Sequence, residues 1–104
     1  MTSKYGNVRT NGYASKAEAK RAQELVLLRQ AGKITDLEEQ REFVLVSKSI
    51  YGRALKYRSD FCYRVDGVFV CEDVKSPATA KNPLYRWKRR LMQEVYGITI
   101  KETS

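Results

Sequence analysis

Histidine is absent from this 104-residue sequence, and cysteine and proline occur only twice each. The absence of histidine excludes Ser–His and Cys–His catalytic pairs, and it disfavours zinc, which imidazole and thiolate groups usually hold. Cys62 and Cys71 match no zinc-binding pattern. Because no signal peptide is recognised, we expect a cytoplasmic protein with two reduced, buried thiols, although a disulfide between them is geometrically conceivable. No apolar run approaches the ~20 residues of a membrane span, so we expect no membrane partner.

Acidic residues are the minority charge, since 12 Asp and Glu stand against 20 Lys and Arg and give a net charge of +8. This surplus predicts an anionic partner, most often nucleic acid. The alternative is a basic protein without such a partner. The length predicts one domain over residues 1–104 with a modest core. Residues 1–14 are expected to form a basic N-terminal arm or a small hairpin.

Residues 57–75 predict a β-hairpin whose turn is Asp66-Gly67. Glycine accepts the positive φ that two-residue turns require. Counting outward from this turn places Asp60 opposite Asp73, and side chains alternate along each strand. The same register pairs Cys62 with Cys71 and Arg58 with Lys75, all on the face of the two aspartates. The opposite face, expected to be core, carries Tyr57, Phe61, Tyr63, Val68, Val70 and Val74.

Two aspartates that face each other need an explanation, because like charges directly opposed across strands are destabilising. A divalent cation between them would remove this cost, and Mg²⁺ is typically held by one or two carboxylates with waters and phosphate oxygens. Lys75 returns to the same face two residues after Asp73, where it could stabilise a phosphate or position a water. The alternative is an ordinary solvent-facing hairpin neutralised by Arg58 and Lys75. A one-residue slip would make Glu72 the ligand instead of Asp73.

Residues 15–31 predict a helix that begins at Ser15 and is stopped by Gly32. Its predicted buried side is marked by Ala22, Leu25, Val26 and Leu28. Glu18 lies at the start of this side and has two interpretations. It either completes a capping box with the Ser15 amide, or it is a third acidic group directed at the hairpin.

The remaining pattern predicts strands at 34–37 and 42–47, the second buried on both faces, and hairpin strands at 54–65 and 68–75. A loop at 76–82 precedes a helix at 83–96 that begins after Asn82 and ends at Gly97, and a last strand covers 98–100. The order αβββαβ predicts an α/β fold with a mixed central β-sheet flanked by helices. The predicted buried stripe of the second helix is Leu84, Trp87, Leu91 and Val95. The basic residues beside this stripe are Arg86, Lys88, Arg89 and Arg90. They either bind phosphates or form a solvated face of the helix.

These acidic residues, in this order of elements, resemble the signature of the PD-(D/E)XK nuclease superfamily. That signature has an acidic residue near the end of one strand, (D/E)-x-K on the next, and a helical glutamate upstream. The matches are Glu18, Asp60 and the run Asp73-Val74-Lys75, although no proline precedes Asp60. The sequence further resembles small phage proteins of this superfamily through SKAEA at 15–19, LEEQREF at 37–43, DF at 60–61 and EDVK at 72–75.

The resemblance implies a restriction-endonuclease-like core and a Mg²⁺-dependent DNA endonuclease, with Mn²⁺ as a substitute metal. It assigns Asp60, Asp73 and Glu18 to the metal, Lys75 to the attacking water and the charge at phosphorus, and Gln40 to a supporting position. The residues expected to contact DNA are Arg58, Arg86, Lys88, Arg89 and Arg90.

Phage nucleases of this size are often junction resolvases, so we expect cleavage of branched DNA such as a Holliday junction during replication or recombination. A homodimer is expected because a resolvase cuts two symmetric strands, in the cytoplasm of a bacterial host if the gene belongs to a phage. One alternative is a non-catalytic DNA-binding or inhibitor protein. Another is an RNA-binding or RNA-cleaving module that stacks bases on Tyr51, Tyr57, Tyr85 and Trp87.

Overall fold

The computed structural model describes residues 12–104, so most of the predicted arm or hairpin at 1–14 lies outside the described residues. The helices are α1 (Lys16–Gln30), α2 (Pro77–Ala80) and α3 (Pro83–Tyr96). The strands are β1 (Thr35–Glu39), β2 (Glu42–Val46), β3 (Leu55–Arg58), β4 (Phe61–Val65), β5 (Val68–Val74) and β6 (Lys101–Thr103). Within this part of the chain, no helix has the length and apolar character needed to cross a membrane.

The main sheet has the order β1-β4-β5-β6, in which only the β5–β6 pair is parallel, and β2 and β3 form a second two-stranded sheet. This confirms the predicted α/β fold with a mixed sheet. The core between α1 and the main sheet consists of Ala22, Leu25, Ile34, Phe61 and Tyr63. The core on the opposite side consists of Phe43, Leu45, Tyr57, Cys62, Cys71, Tyr85, Met92 and Ile100. Both cysteines are free and buried, as predicted.

Helix α1 begins where its cap predicts, since Oγ of Ser15 accepts a hydrogen bond from the Glu18 amide at 3.1 Å. Ala22 and Leu25 are buried as expected, and Val26 is half-buried. Leu28 is exposed instead, because it lies about 120° around the helix from Ala22.

The hairpin has the predicted register. Asp66 and Gly67 form its turn with φ of 51° and 82°, and Val65 pairs with Val68. Val68 itself is exposed rather than core, because it stands at the tip beyond α1.

The predicted strand at 54–65 is wrong, because the chain changes sheets at Ser59. The Ser59 amide donates to the carbonyl of Arg41 at 3.0 Å, which ends β3 on the second sheet before β4 begins. Arg58 therefore pairs with Glu42 and not with Lys75. Tyr57 correspondingly lies on the side of Asp73 and not with Phe61 and Tyr63.

Strand β2 alternates in burial, contrary to the prediction that both of its faces are buried. Phe43 and Leu45 are buried, whereas Val44 and Val46 are exposed. The two-stranded sheet has only one face on the core, so the other face remains at the surface.

Helix α3 begins and ends as predicted, with Oδ1 of Asn82 accepting from the Tyr85 amide at 3.0 Å and Gly97 at a φ of 69°. Its predicted buried stripe is wrong. Leu84, Trp87 and Val95 are 56%, 61% and 50% exposed, and Leu91 is half-buried. Tyr85 and Met92, seven residues apart on another side of the helix, are buried instead.

The chain around α3 differs from the predictions in two further places. The expected loop at 76–82 contains α2. The last strand is Lys101–Thr103 rather than 98–100, and Ile98 and Ile100 contribute to the core from the segment that leads into it.

Candidate active site

Asp60 and Asp73 face each other where β4 begins and β5 ends, as the hairpin register predicts. The Asp60 amide donates to Oδ1 of Asp73 at 2.8 Å, and the Val74 amide donates to Oδ2 of Asp60 at 2.8 Å. Each carboxylate therefore binds the backbone of the opposite strand, so the two acidic groups are fixed at a position set by the hairpin. Oδ1 of Asp60 is the oxygen that these contacts leave for another ligand.

Asp73 is a buried carboxylate with donors on both of its oxygens. The phenol of Tyr57 donates to Oδ2, and Nζ of Lys75 lies 3.6 Å from the same oxygen. The ammonium of Lys75 also lies 4.4 Å from the ring centroid of Tyr85. A carboxylate on one side and an aromatic ring on the other thus fix the position of the Lys75 charge.

Asp60 is a partly buried carboxylate with two other negative charges nearby. Burial raises the pKa of Asp60 to about 6, and the nearby carboxylates of Asp73 and Glu18 act in the same direction. The hydrogen bond from the Val74 amide and the charge of Lys75 oppose this rise. A bound cation would offset this negative charge.

An open groove of about 450 Å³ lies in front of Asp60. It brings together four predicted residues from separate parts of the chain: Glu18, Gln40, Arg58 and Asp60. The amide of Gln40 donates to the carbonyl of Asp60 at 3.1 Å, which ties the end of β1 to the start of β4. Asp73 and Lys75 do not line this groove: Asp73 is buried behind Asp60, and Lys75 lines a separate pocket with Tyr85.

Only half of the predicted capping box forms in the described residues, because no hydrogen bond returns from the Glu18 side chain to the Ser15 amide. The Glu18 amide is capped by the Ser15 hydroxyl, which fixes the first turn of α1. The half-buried side chain of Glu18 lines the groove with Asp60. The helix start thereby carries a carboxylate to the same groove as the hairpin.

Two residues of the site were missed by sequence reasoning. Tyr57 was assigned to the wrong face because the change of sheets at Ser59 was not foreseen. Glu39 lines the groove and accepts a hydrogen bond from the phenol of Tyr13, which raises the pKa of Tyr13 to about 12. Glu39 directly precedes Gln40, a predicted site residue of the LEEQREF run, and this position could have indicated that Glu39 lies near the site.

The donor set fits Mg²⁺ better than a metal that needs many protein ligands. Within residues 12–104, no three His, Cys, Asp or Glu side chains are close enough to hold a metal ion by themselves. Mg²⁺ usually keeps several waters and binds through one or two carboxylates together with phosphate oxygens. Asp60 and Asp73 are a pair of carboxylates of this kind, and Glu18 lines the same groove as Asp60.

Glu72 lies on the other face of β5 and binds α1. Nε and Nη2 of Arg21 donate to its two oxygens at 2.6 Å and 3.0 Å, and the phenol of Tyr63 donates to Oε2 at 2.5 Å. The Glu72 side chain is fully buried among these donors. Glu72 therefore faces α1, on the side of β5 away from Asp60.

The other predicted DNA contacts lie on α3. Arg86, Arg89 and Arg90 line a second groove, between α3 and residues 99–100. Nη1 of Arg89 is held by Oε2 of Glu102 at 2.8 Å, and Lys88 is half-buried. Arg86 and Arg90 are thus the more exposed cations of this helix.

The chain belongs to the family described as "Protein of unknown function (DUF1064)", whose model matches residues 2–102. No curated protein and no solved structure matches the chain.

Proposed function

We propose that this member of the DUF1064 family is a Mg²⁺-dependent DNA endonuclease of the PD-(D/E)XK type. The observation that carries the proposal is the opposed pair Asp60 and Asp73, with the Lys75 ammonium 3.6 Å from Asp73. Two carboxylates can hold a metal ion for phosphodiester hydrolysis, and the PD-(D/E)XK signature adds a lysine beside them. The groove that contains Glu18 and Gln40 gives open access to Asp60, whereas Lys75 lines a separate pocket beside Tyr85.

Asp60 and Asp73 would hold the metal, with Glu18 acting directly or through water. When bound, Mg²⁺ would polarise the scissile phosphate and lower the pKa of a coordinated water. Lys75 orients the attacking water and stabilises the charge that develops at phosphorus. Tyr57 fixes the carboxylate of Asp73 and, because burial and Asp73 hold its pKa far above the ordinary value, it keeps its proton.

The proposed substrate is branched DNA, cut by a homodimer. The net charge of +8 supports a polyanionic partner. Arg58 lines the same groove as Asp60, where it can contact the phosphate next to the cut. A two-fold dimer would present two such grooves to the two symmetric strands of a junction.

The alternative is a non-catalytic DNA-binding or inhibitor protein. It draws support from one observation, that both oxygens of Asp73 already accept hydrogen bonds within the protein. Such a protein would use the arginines of α3 and would be indifferent to Mg²⁺.

The test is cleavage of a labelled four-way junction beside matched linear duplex and single strands, with Mg²⁺ or EDTA. We expect Mg²⁺-dependent cutting that Asp73→Asn and Lys75→Ala abolish while DNA binding is retained. The matched control is Asp66→Asn, because Asp66 is an exposed carboxylate at the hairpin turn and asparagine tolerates its φ of 51°. This control should cut like the wild type. Salt-sensitive DNA binding without cutting of any substrate would favour the alternative.

A further inference from the structure

The groove between α3 and residues 99–100 is separate from the acidic one. It has a volume of about 630 Å³ and is lined by three arginines, Arg86, Arg89 and Arg90, with no acidic residue. A groove with cationic walls favours an anionic ligand.

Trp87 lines this groove and is 61% exposed. Tryptophan is normally highly buried on average, and this is the only tryptophan in the chain. The guanidinium carbon of Arg90 lies 5.9 Å from the ring centroid of Trp87. An exposed indole next to arginines offers both an aromatic face for a flat ring and cations for phosphate.

This combination fits an unpaired nucleotide better than a duplex. Bases in a duplex stack on one another and hide their faces, whereas single strands bind by stacking bases on aromatic side chains along a positive groove. We propose that the α3 groove binds an unpaired DNA strand, with a base stacked on Trp87 and phosphates bound by Arg86 and Arg90. This inference rests on the proposed nuclease function and narrows its substrate to DNA with unpaired bases near the cut.

Tyr85 lies between Lys75 and Arg89. Its ring centroid lies 4.4 Å from Nζ of Lys75 and 5.8 Å from the guanidinium carbon of Arg89, and its phenol donates to Glu102 at 2.6 Å. A single aromatic side chain thus stands between the lysine of the candidate active site and an arginine of the α3 groove. A strand held in the α3 groove would continue towards Lys75.

Trp87 itself reports the proposed binding, because it is the sole source of tryptophan fluorescence. The wild-type protein is titrated in EDTA with an oligothymidylate of about 12 nucleotides, within the range of known single-strand sites. An abasic oligomer of the same length and a blunt duplex serve as the comparison ligands. We expect quenching by the oligothymidylate but not by the abasic strand, which keeps the phosphates and lacks the bases.

Variants then separate stacking from charge, with binding measured by anisotropy of a labelled oligothymidylate. Trp87→Ala should weaken binding roughly tenfold, as for other stacked bases, and Trp87→Phe should retain most of the affinity. The double variant Arg86→Gln with Arg90→Gln should reduce the salt dependence of the affinity for the oligothymidylate. Tyr51→Ala is the matched control, since Tyr51 is an aromatic residue that is 92% exposed on the β2–β3 connection. This variant should bind the oligothymidylate with wild-type affinity.

Three results would overturn the proposal: binding without a fluorescence change, wild-type affinity in Trp87→Ala, or equal quenching by the blunt duplex. A clear preference for an oligouridylate would overturn the assignment to DNA. Because the titration is done in EDTA, its outcome is independent of cleavage. Quenching without nuclease activity would contradict the proposed nuclease function and support the single-strand site. Cleavage without quenching would support the nuclease function and contradict the single-strand site.

Discussion

Arg21 and Glu72 form a two-pronged ion pair that ties α1 to β5, with donor–acceptor distances of 2.6 Å and 3.0 Å. Arg21 lies three residues after Glu18, about one helical turn further along α1. The pair therefore fixes the part of the helix that carries Glu18 to the groove of Asp60. Stability and the geometry of the candidate site are linked through this contact.

Arg21→Met should destabilise the protein by about 3 kcal/mol, because it leaves a buried carboxylate without its cation. Adding Glu72→Leu should recover part of this loss, since removing both charges leaves neither unpaired, while the buried Tyr63 phenol loses its acceptor. Urea denaturation of the two single variants and the double variant measures the coupling. Additive effects of the two substitutions would contradict the interaction.

The two neighbouring acids of β5 should behave differently in the cleavage assay. Glu72→Gln should retain Mg²⁺-dependent cutting, because Glu72 binds Arg21 and Tyr63 on the face away from the groove. Asp73→Asn should abolish it. Loss of cutting in a stably folded Glu72→Gln, with activity retained in Asp73→Asn, would assign the metal to Glu72.

Tyr57→Phe should weaken the apparent Mg²⁺ affinity about 10- to 100-fold, as expected when a group that orients a metal ligand is removed. The affected contact is the hydrogen bond from the phenol to Oδ2 of Asp73. The measurement is the Mg²⁺ dependence of the cleavage rate. Tyr63→Phe is the matched control, because Tyr63 makes an equivalent bond to Glu72 on the other face. An equal shift in both variants would point to a general loss of stability instead.

Asp60 should make folding stability depend on pH in the absence of metal. Its pKa of about 6 lies above the ordinary value of 3.8, so the folded state binds its proton more tightly than the unfolded state. The resulting stability is complete below about pH 4 and is lost as the pH rises through about 6. The side chain of Asp60→Asn cannot ionise, so the variant does not lose this stability. The free energy of unfolding of the variant minus that of the wild type should therefore be about 2 kcal/mol larger at pH 8 than at about pH 4.

Urea denaturation in EDTA at both pH values measures this difference, and Mg²⁺ should stabilise the wild type at the higher pH. A stability difference that stays constant with pH would contradict the raised pKa of Asp60.

Cys62 and Cys71 should form a disulfide when the protein is treated with a diazene oxidant such as diamide. The two residues are paired across the hairpin, with their sulfur atoms 2.9 Å apart. Two thiols would lose two hydrogens to the diazene, which becomes a hydrazine, and dithiothreitol should reverse the reaction. Intact-mass measurement detects the change, and Cys71→Ala should not show it. Unchanged mass under conditions that loosen the hairpin would contradict the expected pairing.

Local signals were sufficient for the hairpin and for the helix ends. Asp66-Gly67 determines the register by itself, because the turn requires positive φ at both positions. Ser15 and Asn82 likewise mark helix starts through hydrogen bonds to amides three residues ahead. The juxtaposition of Asp60 and Asp73 follows from these local rules alone.

Tertiary contacts decided the features that the sequence did not predict. The break at Ser59 within residues 54–65 depends on a hydrogen bond to the carbonyl of Arg41, which lies 18 residues earlier in the sequence. Helix α3 offers two apolar stripes of similar period, and only packing against Cys62 and Cys71 selects the one with Tyr85 and Met92. Trp87 is exposed for the same reason.

The hairpin also limits how insertions can be accepted near the candidate site. Asp60 and Asp73 are separated by two equal arms and one two-residue turn. One extra residue in either arm would turn Asp73 away from Asp60, whereas two extra residues in each arm would only move the turn outward. In relatives that keep this turn, the spacing between the two aspartates is therefore expected to change in steps of four residues. The tip beyond Val65 and Val68 is then the place where the chain can lengthen without altering the acidic pair.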